Sequence, residues 1–188
     1  MSNVAESEPG SPGTAELVQQ AQAGDRAAFA LLYREFARTV HGIVLATCGK
    51  DDADDLTQDV FVQAFQRLAD VREPRAFAGW LCATARRAAI DRLRSHRRRP
   101  EPMPQDEPVG RERAPADAFA ARAAADRALA CIQRLPETYR ETLTLRLVEG
   151  LTGPEIAART GLTHGSVRVN LVRGMAMLRP LLQEAGLP

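Results

Sequence analysis

The stretch that most constrains the fold is residues 151–178, LTGPEIAARTGLTHGSVRVNLVRGMAML. Thr152 and Glu155 have the spacing of a capping box, which marks the start of a helix. Gly161 suits the left-handed residue that ends one, and Thr163 can cap a second helix directly afterwards. Two helices separated by three residues are the pattern of a helix-turn-helix. The sequence therefore predicts this motif near the C-terminal end.

The second helix of the motif has two unlike faces. At about 100° per residue, four residues share a sector that should face the core: Val167, Leu171, Gly174 and Leu178. The other side carries hydroxyl, amide, guanidinium and methyl groups, which read base edges or contact phosphates in the major groove. We predict DNA contacts for Thr163, Ser166, Arg168, Val169, Asn170 and Arg173. The alternative is a plain amphipathic hairpin, which the agreement of cap, turn and polar face disfavours.

The rest of the chain divides around a segment rich in proline. Five prolines lie in residues 100–115, a composition that favours extended conformations over a packed core. Apolar residues recur at helical spacing on both sides, without the alternation of strands. The prediction is an all-α fold of two small helical domains, residues 14–99 and 117–188. A flexible linker, residues 100–116, joins them, and a disordered tail covers residues 1–13.

Composition excludes several classes of protein. The 25 basic and 24 acidic residues nearly cancel, so the chain does not coat nucleic acid through bulk charge. The three cysteines, Cys48, Cys82 and Cys131, are far apart and predict buried thiols in a reducing cytoplasm rather than a metal site. No apolar run is long enough for membrane insertion. No catalytic constellation or phosphate-binding loop is apparent, so we expect neither an enzyme nor a cofactor.

Residues 77–99, FAGWLCATARRAAIDRLRSHRRR, predict a helix with one basic face. Five arginines lie opposite its apolar sector: Arg86, Arg87, Arg94, Arg97 and Arg98. Trp80 stands at the border, where its ring could stack on a base of single-stranded DNA. The alternatives are a solvated arginine face and a Trp80 that belongs to the core.

Residues 51–68 predict a helix that begins with an acidic cluster. The outer face carries Gln58, Asp59, Gln63 and Gln66 and should repel DNA. Such a face could dock on a basic protein surface. By spacing alone, a solvated face is the favoured interpretation.

In this order, the segments resemble one family, the extracytoplasmic-function (ECF) RNA polymerase sigma factors of the sigma-70-like proteins. The resemblance covers roughly residues 15–183. It includes GDRAAFALLYREF, DDADDLTQDVFVQAF, the basic helix and LPETYRETLTLRLVEGLTGPEIAARTGLTHGSVRVNL. These correspond to the family's opening segment, its core-polymerase-binding motif, its −10 region and its −35 domain.

The resemblance implies a role for each segment. The N-terminal domain would recognise and melt the −10 element through Trp80, Arg86, Arg87, Asp91, Arg94, Arg97 and Arg98. The C-terminal helix-turn-helix would read the −35 element. The beta-prime clamp helices of core polymerase would contact Asp54, Asp55, Leu56, Gln58, Asp59 and Phe61. Further implied partners are the polymerase beta flap, promoter DNA and an anti-sigma factor.

Two features, at three positions, depart from the family's pattern. Arg87 stands where asparagine is common, and Met175 and Met177 stand where basic residues are common. The methionines could be buried against the preceding helices, which we expect, or could form a protein contact. The competing function is a self-standing regulator whose N-terminal domain senses a ligand. Such a regulator would need neither the basic nor the acidic helix.

Overall fold

The computed structural model describes residues 13–98 and 116–187, without the side chains of residues 97 and 116–120. Within these ranges the chain is helical and contains no strand, which confirms the all-α prediction. The eight helices are α1 (Thr14–Gln22), α2 (Arg26–Cys48), α3 (Lys50–Gln66), α4 (Phe77–Arg98), α5 (Ala116–Gln133), α6 (Glu137–Leu147), α7 (Gly153–Thr160) and α8 (His164–Glu184). The predicted tail and linker lie outside the described residues, except that Gly13 precedes α1 and Ala116 begins α5.

Helices α1 to α4 enclose one hydrophobic core. Asp25 starts α2 by accepting hydrogen bonds from the backbone N–H groups of Ala27 and Ala28. Phe36 of α2 meets Phe77 of α4 edge to face, with ring centroids 5.6 Å apart, and both side chains are fully buried. The apolar sector predicted for α4 therefore faces the core, which leaves its arginine face outside.

Helices α5 to α8 form two smaller cores that meet at α8. One joins α5, α6 and the distal part of α8 through Ile132, Leu143 and Leu178. The other holds the helix-turn-helix together through Ile156 and Val167. Because α8 is packed at both places, its orientation relative to α6 and α7 is determined by buried contacts.

The two helical groups also pack against each other, α2 on α6 and α4 on α7. Gly42 of α2 permits the first contact, because a Cβ there would lie 2.7 Å from Leu145 Cδ2 and 2.9 Å from Glu149 Cγ. The side of α4 that carries Cys82 and Arg86 therefore faces the C-terminal group in this arrangement.

Candidate nucleic-acid interface

The helix-turn-helix has the local geometry that its sequence predicts. Thr152 Oγ1 accepts from the Glu155 N–H, and Glu155 Oε2 accepts from the Thr152 N–H at 2.8 Å. The Thr152 N–H and hydroxyl both donate to the Glu155 carboxylate and lower its pKa. Gly161 adopts φ +77° and ends α7, and Thr163 Oγ1 caps α8 by accepting from the Ser166 N–H at 3.1 Å. The turn is thus built from contacts between neighbours in sequence.

The outward face of α8 carries most of the residues predicted to contact DNA. Thr163, Ser166, Arg168, Val169 and Arg173 are all exposed. The hydroxyls of Thr163 and Ser166 lie 2.8 Å apart, at the N-terminal end of the helix. Five of the six predicted positions are therefore accessible to a groove.

The sixth, Asn170, is placed differently from the prediction. Its side chain is 7% exposed, and its Nδ2 donates to Thr142 Oγ1 of α6 at 3.3 Å. The helical wheel put Asn170 outside because it used only the spacing within this helix and not the position of α6. Helix α8 also packs on α6, where Gly174 lies against Leu143, so the buried sector extends round to residue 170.

Met175 and Met177 of α8 differ in exposure, which bears on whether each is buried or available for a protein contact. Met175 is half-buried and packs against the α5–α6–α8 core. Met177 is 41% exposed. The expected burial therefore applies to Met175 and not to Met177.

On α4, several of the predicted −10 residues remain at the surface: Arg87, Asp91, Arg94 and Arg98. Arg94 lies 3.6 Å from Asp91, and both are largely exposed. The side chain of Arg97 lies outside the described part of the chain. Trp80 is half-buried, with its ring centroid 6.0 Å from that of Phe77. One part of the indole belongs to the core and another reaches the surface.

Helices α3 and α4 form a polar cleft beside this face. Its volume is about 370 Å³, and Arg67, Thr84, Arg87 and Arg92 contribute to its lining. Arg92 is tied to α3 through Asp52 at 2.8 Å and Asp59 at 3.6 Å. Asp59 and Asp91 also line the cleft, so acidic groups accompany its arginines and hydroxyls. The arginines and hydroxyls are the groups that suit a nucleotide.

Arg86 is not exposed with the other arginines. Its guanidinium donates from Nε and Nη2 to the two carboxylate oxygens of Glu141 on α6, at 2.8 and 2.7 Å. This hydrogen bonding is the main cause of a raised Arg86 pKa. The predicted −10 helix is thereby joined to the C-terminal helices by a two-point ion pair.

A second polar connection joins His41 of α2 to a distant acid, a pairing that no local sequence pattern indicates. Its Nδ1 lies 2.6 Å from Glu149 Oε1, and its Nε2 lies 3.5 Å from Asp54 Oδ1. Arg38 also lies 3.9 Å from Glu149, which is buried. The Glu149 hydrogen bond raises the pKa of His41 against the opposing effect of burial.

The predicted core-binding residues of α3 separate into two classes. Asp54, Asp55, Gln58 and Asp59 are exposed. Leu56 and Phe61 are buried at 5% and 4%, because the apolar stripe of α3 faces α2. Leu56 lies beneath the surface, so its predicted direct contact with a partner does not match its position. Phe61 is also largely covered, but it lines the groove between α2 and α3.

Sequence reasoning missed an apolar groove beside the acidic face. Phe29, Tyr33, Val62 and Phe65 line an opening of about 460 Å³ between α2 and α3. Phe65 is 50% exposed, and its ring lies edge to face against Phe29 with centroids 4.9 Å apart.

The three cysteines are free thiols packed within the protein. Cys82 and Cys131 are buried, and Cys48 is half-buried beside the Ala89 carbonyl. Burial raises the pKa of Cys82 to about 12, so its thiol stays protonated. Among the described residues, no group of three or more His, Cys, Asp or Glu side chains is arranged to hold a metal ion. No helix there is long and apolar enough to cross a membrane.

Comparisons with known proteins agree with the two-part architecture. Residues 32–99 match sigma-70 region 2, and residues 125–178 match sigma-70 region 4. A chain in the solved structure of CnrH in complex with the cytosolic domain of CnrY is similar, with a TM-score of 0.58 and 28% identity. That match covers 91% of this chain and 97% of the other.

Two curated relatives are similar over most of this chain. The ECF RNA polymerase sigma factor BldN of Streptomyces coelicolor is 32% identical, and the match covers 90% of this chain but 66% of the relative's own length. The RNA polymerase sigma-H factor of Pseudomonas aeruginosa is 30% identical, over 90% of this chain and 96% of the relative. The chain therefore belongs to the extracytoplasmic-function sigma factors of the sigma-70 family.

Proposed function

We propose that this chain directs core RNA polymerase to specific promoters in the bacterial cytoplasm and starts transcription there, without catalysing a reaction itself. The observation that supports this proposal most strongly is the combination of two surfaces in one chain. One is the exposed outer face of a capped helix-turn-helix, and the other is an arginine face beside a polar cleft. We assign promoter melting to residues 14–99, −35 recognition to residues 117–188, and the connection between them to residues 100–116.

For the −35 element, the reading surface is the exposed face of α8. Arg168 and Arg173 stand on opposite sides of that face and can contact phosphates or guanine edges. The Thr163 and Ser166 hydroxyls lie at the helix N-terminus, where the helix dipole also favours a phosphate. Asn170 is omitted from the set because it is engaged by Thr142.

For the −10 element, the cleft between α3 and α4 is the proposed site of a separated strand. Arg87 lies at the cleft, and Arg94 and Arg98 extend the basic surface along α4. Trp80 offers part of its ring for stacking. Arg86 would join this set only after leaving Glu141.

For core polymerase, we propose docking of the beta-prime clamp helices on α3, with the beta flap contacting the C-terminal domain. The acidic residues Asp54, Asp55 and Asp59 lie on the same helix as the exposed Val62 and Phe65. A rim of charge around an apolar groove is the usual composition of a protein interface. Leu56 and Phe61 would support this surface from within the core.

We also propose an anti-sigma factor as a regulatory partner. Support comes from the similarity to a chain solved in complex with the cytosolic domain of CnrY. In the arrangement described here, α4 is joined to α6 through Arg86, and α2 is joined to Glu149, two residues beyond α6. A partner that holds the two halves together would therefore keep Arg86 from DNA.

The docking proposal is tested by pull-down with core polymerase. Asp55→Arg should lose most binding, because it reverses an exposed charge of the acidic face. Asp55 is preferable to Asp59, whose reversal would also disturb Arg92. The matched control is Glu73→Arg, the same charge change at an exposed loop position outside the proposed surface. Equal binding by both variants would contradict docking on α3.

A further inference from the structure

The centre of the outward face of α8 is apolar. At about 100° per residue, Gly165, Val169, Val172 and Ala176 fall within a sector of about 60°, and all four are exposed. Val169 is 44% exposed, and Val172 is 65% exposed, the most of the large apolar side chains in the described part of the chain. Arg168 and Arg173 stand on either side of this stripe. The recognition surface is therefore a strip of methyl groups between two cations.

Folding does not account for Val172. Its side chain packs against no core in this structure, and valine is a poorer helix former than alanine, leucine or arginine. The nearby residue with base-reading hydrogen-bonding groups, Asn170, is turned inward to Thr142. The middle of the face consequently has no side-chain donor or acceptor with which to read a base edge.

A helix in the major groove meets one apolar group on the base pairs, the 5-methyl group of thymine. We propose that Val169 and Val172 recognise thymine methyl groups in the upstream promoter element, while Arg168 and Arg173 hold the flanking phosphates or guanines. This inference rests on the proposed function, in which α8 is the helix that reads the promoter. It adds Val172 as a specificity-determining residue and assigns the chemical feature that is read.

The test uses holoenzyme assembled from core polymerase and the full chain. Promoters with a randomised upstream element are selected for binding, and the enriched element is resynthesised with deoxyuridine in place of each thymidine. Deoxyuridine keeps pairing and base-edge hydrogen bonds but lacks the methyl group. We expect at least one thymine whose replacement lowers wild-type occupancy by about fourfold, the effect of losing one buried methyl-sized group.

Val172→Ala and Val169→Ala then provide the second arm of the experiment. At least one of them should lower occupancy of the thymidine promoter and abolish its difference from the deoxyuridine promoter. The matched control is Val148→Ala, the same change at a valine that is 47% exposed but outside α8. It should leave the difference intact.

Equal occupancy of thymidine and deoxyuridine promoters by the wild type would overturn the methyl assignment. The assignment would also be overturned if both α8 variants kept the deoxyuridine penalty. An equal loss of occupancy on both promoters would overturn it too, because a contact with protein rather than with the methyl group gives that result. Arg168→Ala and Arg173→Ala test the proposed function separately. If neither changes the enriched element, α8 does not read the promoter, and the underlying proposal fails with the inference.

Discussion

Arg86 of α4 and Glu141 of α6 form a two-point ion pair, with N–O distances of 2.8 and 2.7 Å, between the helix proposed to hold the melted strand and the helical group that carries the helix-turn-helix. The pair is partly exposed, with side-chain accessibilities of 32% and 14%. Its consequence is competition, because Glu141 occupies the Nε–Nη2 edge of the Arg86 guanidinium and a phosphate cannot bind that edge at the same time.

Glu141→Gln should therefore increase the affinity of the free chain for single-stranded promoter DNA. We expect a gain of about two- to fivefold, the effect of losing a partly exposed ion pair of about 0.5–1 kcal/mol. Fluorescence anisotropy with a labelled −10 oligonucleotide measures it. In an Arg86→Ala background the same substitution should have no effect. A gain that persists there would mean that Glu141 acts through general repulsion.

Gly42→Ala should open the contact between the two helical groups. The added Cβ would lie 2.7 Å from Leu145 Cδ2, a side chain with no room to move because it is fully buried. Overpacking of this kind costs about 1–3 kcal/mol. Small-angle scattering should show a larger radius of gyration. The matched control is Gly79→Ala in α4, where nothing lies within 4 Å. There we expect an unchanged radius and a gain in stability of about 0.5–1 kcal/mol.

The contact of His41 with Glu149 should make the packing of the two helical groups against each other depend on pH. The Glu149 hydrogen bond raises the pKa of His41 above its ordinary value of 6.5 in the packed form. The stabilisation is therefore fully present below about pH 6.5 and is lost as pH rises through the raised value. Scattering between about pH 6 and 8.5 should show progressive expansion. His41→Gln should remove this dependence and the exposed His164→Gln should keep it. Compaction with rising pH would contradict the assignment.

Substitutions at Asn170 and Arg173 should have opposite effects on stability and on promoter use. Asn170→Ala removes a buried donor to Thr142 and should lower the free energy of unfolding by about 1–3 kcal/mol in denaturant titrations. Arg173→Ala should leave stability nearly unchanged. It should instead reduce use of a cognate promoter by the equivalent of about 1–3 kcal/mol. Wild-type stability in Asn170→Ala would place that side chain at the surface.

Features that depend on residues close together in sequence could be predicted, and those that depend on distant residues could not. The caps at Thr152 and Thr163 involve residues three apart, and Gly161 is required by the backbone of its own turn, so all three could be predicted. Asn170 was misplaced because its burial depends on α6, which a wheel of α8 alone omits. The contact of His41 with Glu149 spans 108 residues and has no local pattern. Leu56 and Phe61 were assigned to a partner although the same stripe was needed to pack α3 on α2.

Transcription in vitro tests the central claim most directly. Core polymerase, with and without the full chain, is supplied with a library of genomic promoters, and the transcripts are sequenced. The account predicts initiation that depends on the chain, at promoters sharing one upstream and one downstream element, and its loss with Asp55→Arg. The contrary result has two parts: core polymerase with the chain initiates no more than core polymerase alone, and the chain by itself binds duplex DNA tightly. The chain would then be a self-standing regulator, and the account would be wrong.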